Sequence, residues 1–203
     1  MIHSLSPLIY MGYVEIIRYI SPCPDSKLMK YLRKIYNLFM SILSLLMFFG
    51  IIIANYQMNK FDSLDCLLCS SYENNFIAKI STNLFLYSKY LEWLDTLFLQ
   101  LSGKYISNLQ YTHHMSTAFL TYHNISEFIS PHIFIFMSIN CLVHVFMYLY
   151  YAYPDSILKK YRKLITQSQI IQHIFCLLTI IYVHLRNDCP QNGYGNEMGL
   201  LLY

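Results

Sequence analysis

The chain has 203 residues, of which 56% are hydrophobic, 17% aromatic and 12% charged, with a net charge of +3. A soluble domain carries about 25% charged residues, so this composition excludes an ordinary soluble domain. It describes a polytopic membrane protein, and so modest a charge gives no reason to expect a nucleic-acid partner. Six cysteines, Cys23, Cys66, Cys69, Cys141, Cys176 and Cys189, lack zinc-ligand spacing. The one Cys-x-x-Cys pair, Cys66 and Cys69, reads as a loop disulfide or as plain thiols.

Met1 to Ile20 lacks the basic start and the small-residue cleavage site of a signal peptide. Its apolar part, about 5–20, is a marginal first span, shorter than the ~20 residues a crossing helix needs. Ser21-Pro22-Cys23-Pro24 breaks the helix, and Lys27, Lys30, Arg33 and Lys34 form a basic loop. The second span, about 35–56, lies in an uncharged stretch and is the clearest of all. Asp62, Asp65 and Glu73 make the next loop acidic, against Lys60. A third span covers about 76–101 and holds Lys89, Glu92 and Asp95. The fourth covers about 109–123, the fifth 131–151 and the sixth 166–185, with a basic loop of Lys159, Lys160, Arg162 and Lys163 between the last two. Neither repeats nor linkers divide the chain, so residues 1–203 read as one domain.

The positive-inside rule sets the orientation. A lumenal N-terminus puts Lys104 and both basic loops in the cytosol and leaves only Lys60 and Arg186 in lumenal segments. It also places the sequon Asn124-Ile125-Ser126 on the lumenal side.

Four spans carry a polar face. In the fourth, which lies in a run free of Asp, Glu, Lys and Arg from Tyr105 to Ser126, Gln110, His113, His114 and Thr117 recur at helical spacing. In the third, Lys89, Glu92, Asp95, Thr96 and Gln100 share a side. Each of the charged groups costs roughly 2.5–3.5 kcal/mol in lipid, so they face the bundle interior. They form either a structural ion pair of Lys89 with Glu92 or Asp95, or a site. In the fifth, Asn140, His144, Met147, Tyr148 and Tyr151 fall on one face. Cys141, three residues before His144, is either a second nucleophile candidate or a small buried residue. In the sixth, Thr166, Gln169, Gln172 and His173 align, and amides there can also serve as glue between helices. One shared polar chamber accounts for all four faces more simply than four separate adhesive stripes.

These residues resemble a family. Lys89-x-x-Glu92-x-x-Asp95-Thr96, the histidine box Gln110-x-x-His113-His114, Asn140-x-x-x-His144-x-x-Met147-Tyr148-x-Tyr150-Tyr151 and Thr166-x-x-Gln169-x-x-Gln172 are similar to the motifs of the ELO family, in the family's order. Its members are the fatty acid elongases of the endoplasmic reticulum, and the resemblance covers about Leu5 to Cys189. Gln110 stands where most members have His, a variant found among elongases of polyunsaturated chains. The family has seven spans. Here the tail Arg186–Tyr203 is too short and too polar for a seventh, so the chain is expected to lack that helix and to show weak or no activity and poor stability unless a partner fills the gap.

The resemblance implies an all-α bundle of about six transmembrane helices around a polar chamber and acyl tunnel. It implies an acyltransferase, a 3-oxoacyl-CoA synthase that condenses a long-chain acyl-CoA with malonyl-CoA and releases carbon dioxide and CoA. The reaction needs an acyl acceptor, a base and stabilisation of an enolate, and imidazole can supply the first two. His113 and His144 are expected to carry acyl transfer and decarboxylation, with His114 in support. Gln110 and Asn140 would orient imidazoles or donate to an oxyanion, while Lys89, Glu92 and Asp95 set the electrostatics. Thr96, Met147, Tyr148, Tyr151, Thr166, Gln169 and Gln172 would line the substrate. No metal and no cofactor beyond the two CoA substrates is expected. The basic loops either hold CoA phosphates or serve topology alone. Implied partners are the bilayer, the ketoacyl reductase, dehydratase and enoyl reductase of the elongation cycle, and a second copy in a homodimer.

Two rival readings remain open. A membrane di-iron desaturase or hydroxylase also uses histidine boxes. Of the eight histidines, however, His3, His123, His132 and His184 sit near span ends, and Gln110 removes another ligand. A small-solute transporter should show paired halves with helices broken by Gly or Pro, and spans three to six lack both.

Overall fold

The computed structural model describes residues 3–24, 26–69, 75–126 and 132–185. Expectations that fall on the tail Arg186–Tyr203, on Cys189, on Glu73 and on the Pro131 start of the fifth span lie outside the described residues. Among the described residues all regular structure is helical: α1 (Ser6–Arg18), α2 (Lys27–Gln57), α3 (Leu64–Cys69), α4 (Phe76–Leu91), α5 (Trp93–Leu101), α6 (Asn108–Ser126), α7 (Ile133–Ala152) and α8 (Arg162–His184), with short 3-10 turns at His3–Leu5, Lys60–Asp62 and Ile157–Tyr161.

Local chemistry sets the ends of these helices. Pro7 opens α1 in the first turn, where no N–H is missed. Ser26 and Asn75 cap α2 and α4, their side-chain oxygens accepting from the Met29 and Ala78 amides at 3.3 and 2.8 Å. α5 stops in a Schellman turn: Gly103 takes φ +64°, its N–H donates to the Gln100 carbonyl, and the Lys104 N–H reaches back to Leu99.

The expected third span is two helices. α4 and α5 meet at Glu92, which stays near helical geometry (φ −60°, ψ −19°), while the Asp95 amide bonds the Glu92 carbonyl in a tighter, 3-10 pattern. The carbonyls flanking this joint are engaged from outside: Leu91 accepts from the Tyr36 hydroxyl at 3.1 Å and Trp93 from the Tyr13 hydroxyl at 3.0 Å. Side chains reaching into the ladder in this way bend a helix, and periodicity alone does not reveal them.

α2 and α7 pack antiparallel. Met47, Ile51 and Ala54 meet Phe134, Met137 and Cys141, with Ala78 and Phe85 of α4 closing the cluster. Nearer the other end Met40 packs on Met147, Tyr148 and Ile165, and the Ser41 hydroxyl donates to the Val145 carbonyl at 3.0 Å. Gly50 lets α4 approach α2, because a Cβ there would stand 2.5 Å from Ser81 Oγ.

The outside of the bundle is apolar. Phe39, Ile42, Leu46 and Phe49 of α2, and Ile170, Ile171, Ile174 and Leu178 of α8, are exposed, as lipid-facing side chains are in an integral membrane protein. The segments Lys27–Gln57, Ile133–Ala152 and Ile157–Val183 are long and apolar enough to cross a bilayer. The other expected spans are shorter or more polar: α1 has 13 residues, the α4–α5 rod holds the charged triad, and α6 holds the histidines. α2, with 31 residues, is about 46 Å long at 1.5 Å per residue, so its basic first turns extend past a ~30 Å core. Both basic loops lie at one end. Lys34 Nζ sits 4.4 Å from the Tyr153 ring centre beyond α7, and an Arg33 guanidinium N–H donates to Ser102 Oγ beyond α5 at 2.8 Å.

Cys66 is a free thiol and Cys69 is disulfide-bonded, so the two do not pair with each other. Asn124 of the sequon lies within α6, where its amide donates to the Leu120 carbonyl at 2.8 Å.

Candidate functional site

The polar faces of α4, α5 and α7 meet in a buried network. Lys89 Nζ donates to Glu92 Oε1 at 2.8 Å and to Asn140 Oδ1 at 2.9 Å. The Asn140 amide and His144 Nε2 stand 3.3 Å apart, and His144 Nδ1 is 3.4 Å from the same Glu92 oxygen. With its proton on Nδ1, the ring donates to the carboxylate and accepts from Asn140, which satisfies both contacts at once. Lys89 and Glu92 are 3% and 1% exposed. Such charges persist in a bundle only when paired and hydrogen-bonded. The ammonium also lies 4.3 Å from the Phe85 ring centre.

One turn nearer the basic end, Asp95 takes a separate partner. The Tyr148 hydroxyl donates to Asp95 Oδ2 at 2.7 Å, and Tyr36 meets Tyr148 edge to face. Thr96, fully buried, shares a 2.8 Å bond with the Tyr10 hydroxyl of α1. Met147 accepts from the Gln169 amide at 3.0 Å, joining α7 to α8.

α6 is held to the α4–α5 rod at the histidines, where Trp93 Nε1 donates to the His114 carbonyl at 3.1 Å. The His113 ring crosses those of His114 and His173 at 5.5 and 5.7 Å. It lines a cavity of about 80 Å³ whose walls include Lys89 and Asn140. His114 is buried against Tyr10, and its Nδ1 has no partner. His144 sits behind Lys89 and Asn140 and is not among the residues of that wall. Gln172, also on the wall, is 5% exposed with Oε1 unbonded. Among the described residues no three His, Cys, Asp or Glu side chains converge as metal ligands would.

Four sequence expectations fare differently. Tyr151 is 47% exposed, and Thr166 is exposed with its hydroxyl turned back to the Arg162 carbonyl. Both lie on the expected face but at the basic ends of α7 and α8, away from the cavity. Gln110 is half-buried, and its backbone amide donates to Ser107 Oγ. Cys141 packs in the apolar cluster with Met47, Ile51 and Phe134, the small buried residue of the two readings given for it. Sequence reasoning missed Tyr10, Tyr36 and Trp93, single aromatic residues in apolar runs, whose polar tips show no periodic signal. It also missed Thr121 and the cavity role of His132.

The sequence of the chain is similar to those of known proteins. The family described as GNS1/SUR4 (ELO) matches residues 3–203. Fatty acid elongase A of Dictyostelium discoideum is 34% identical over 140 residues, covering 68% of this chain and 51% of that protein. Fatty acid elongase 3 of Trypanosoma cruzi is 30% identical over 128 residues, 59% of this chain and 42% of that protein. Fatty acid elongase 2 of the same organism is 29% identical over 198 residues, 88% and 70% respectively. The chain thus spans about half the length of the first two relatives.

Proposed function

Because the chain belongs to the ELO family, we propose that it is a fatty acid elongase, condensing a long-chain acyl-CoA with malonyl-CoA to give a 3-oxoacyl-CoA. The observation that carries this reading is the pairing of a cavity-lining imidazole, His113, with a second imidazole, His144, held by Glu92 and Asn140.

In the first half, a His113 ring nitrogen attacks the thioester carbonyl. The carbon–sulfur bond breaks, CoA leaves as its thiolate and takes up a proton, and the acyl group rests on the ring. In the second half, malonyl-CoA loses carbon dioxide. The carbanion attacks the acyl carbon, expels imidazole and forms the new carbon–carbon bond. His144 serves this half. The 3.3 Å contact to Asn140 is a long one, and its exchange for a substrate group frees Nε2 toward the cavity. Lys89 and the Asn140 amide, both on the cavity wall, stabilise the enolate oxygen. No metal or further cofactor takes part.

The thioesters enter at the basic end, which is cytosolic in the endoplasmic reticulum membrane with the N-terminus lumenal, and Lys and Arg there meet CoA phosphates. The 3-oxo product is a substrate for a ketoacyl reductase. Microsomes containing the chain, given acyl-CoA and labelled malonyl-CoA, should yield a labelled product two carbons longer together with carbon dioxide. Neither product above the empty-membrane level would reject the reading.

A further inference from the structure

The cavity changes character along its length. At the inner end stand His113, Lys89 and Asn140, and beyond them Phe85, Leu120, Met137 and Cys176 make an apolar collar. Beyond the collar Thr121 and Asn124 of α6 and His132, just before α7, bring polar groups back into the wall beside Ile133, Phe136 and Ile180. From His113 to Asn124 the helix rises about 16 Å, so this second polar zone lies well away from the acyl-transfer groups. His132 is 3% exposed, its Nδ1 has no hydrogen-bond partner, and its ring packs against Phe136 at 5.3 Å. A buried ring nitrogen without a partner is costly unless something meets it. A tunnel built only for a methyl-terminated chain has no use for Asn, Thr and His at its end.

We propose that this far end is a polar cap that binds a hydroxyl group at the terminus of the acyl chain, so that the enzyme takes terminally hydroxylated acyl thioesters in preference to plain ones. The inference rests on the elongase reading of the same cavity. With the thioester at His113, the chain passes the collar and its last carbons reach His132. A hydroxyl donates to the unprotonated ring nitrogen and accepts from Thr121 or from the Asn124 amide. A methyl end leaves the His132 ring nitrogen unmet.

Two measurements on the full chain test this, both with a saturated acyl-CoA and its terminally hydroxylated counterpart of equal carbon number. Equilibrium binding to the detergent-solubilised protein should favour the hydroxylated thioester about three- to tenfold, the range of one net hydrogen bond. Microsomal elongation should show the same ratio in kcat/KM. His132→Leu should bring both ratios to one or below. His132→Asn, which keeps a donor and an acceptor, should retain a preference, and Asn124→Leu should reduce it. Equal binding of the two thioesters, or a ratio that His132→Leu and Asn124→Leu leave unchanged, overturns the proposal. Preferential binding without malonyl-dependent extension of either thioester upholds the cap and removes the elongase reading instead.

Discussion

Glu92 Oε1 stands 3.4 Å from His144 Nδ1 while also accepting from Lys89 Nζ at 2.8 Å. One carboxylate thus orients the imidazole of α7 and neutralises the ammonium of its own helix. Because it sits at the joint of α4 and α5, it is both the electrostatic centre of the site and part of the turn that aims the residues around it.

Glu92→Gln should therefore lower the condensation rate by about two to four orders of magnitude, as when a carboxylate that fixes a histidine tautomer is removed. Membrane insertion should be kept, but the buried Lys89 ammonium loses its carboxylate, so Tm should fall as well. The rate is therefore compared at a temperature where the variant is still folded. Steady-state turnover measured beside a detergent melting curve checks this. An unchanged rate would mean that the Glu92–His144 contact is not used.

Lys89→Met leaves Glu92 1% exposed and without its cation. Breaking one partner of a buried pair costs about 3–5 kcal/mol, which should appear as a clear fall in Tm. Adding Glu92→Leu to Lys89→Met should restore part of that loss while activity stays absent. A double variant no more stable than the single one would contradict this account of the pair.

Much of this site was legible in the sequence because helical spacing assigns residues to faces. Lys89, Glu92, Asn140 and His144 lay on predicted inner faces, and the structure brings them together. Periodicity does not give the axial offset between neighbouring helices, so it left open which groups bond. Asp95 shares a face with Lys89 but pairs with Tyr148, one turn farther along. Offset also explains Tyr151 and Thr166, which lie on the right faces yet beyond the reach of the cavity. The break at Glu92 was hidden because the hydroxyls that engage its flanking carbonyls, those of Tyr36 and Tyr13, sit on α2 and α1. Cys141, next to Asn140 in sequence, turns by one residue's rotation into the apolar seam. Cys141→Ala should accordingly lower stability while leaving an enzyme that still turns over.

Gly50 marks the closest approach of α2 and α4. Gly50→Val introduces a branched side chain where a single Cβ would already stand 2.5 Å from Ser81 Oγ, and overpacking of this kind costs about 1–3 kcal/mol. Adding Ser81→Gly should recover part of the lost Tm. A Gly50→Val protein as stable as the parent would show that the two helices are not in contact there.

The central claim is a division of labour, in which His113 receives the acyl group and His144, held by Glu92 and Asn140, serves the malonyl half. The most direct test is to incubate the purified chain with acyl-CoA alone and follow CoA release and protein mass together. The account predicts up to one CoA released per chain, an added acyl mass that maps to the α6 peptide, loss of both in His113→Ala, and retention of both in His144→Ala even though that variant makes no condensation product. Turnover that proceeds without any acyl adduct, or an adduct that survives His113→Ala, would contradict it.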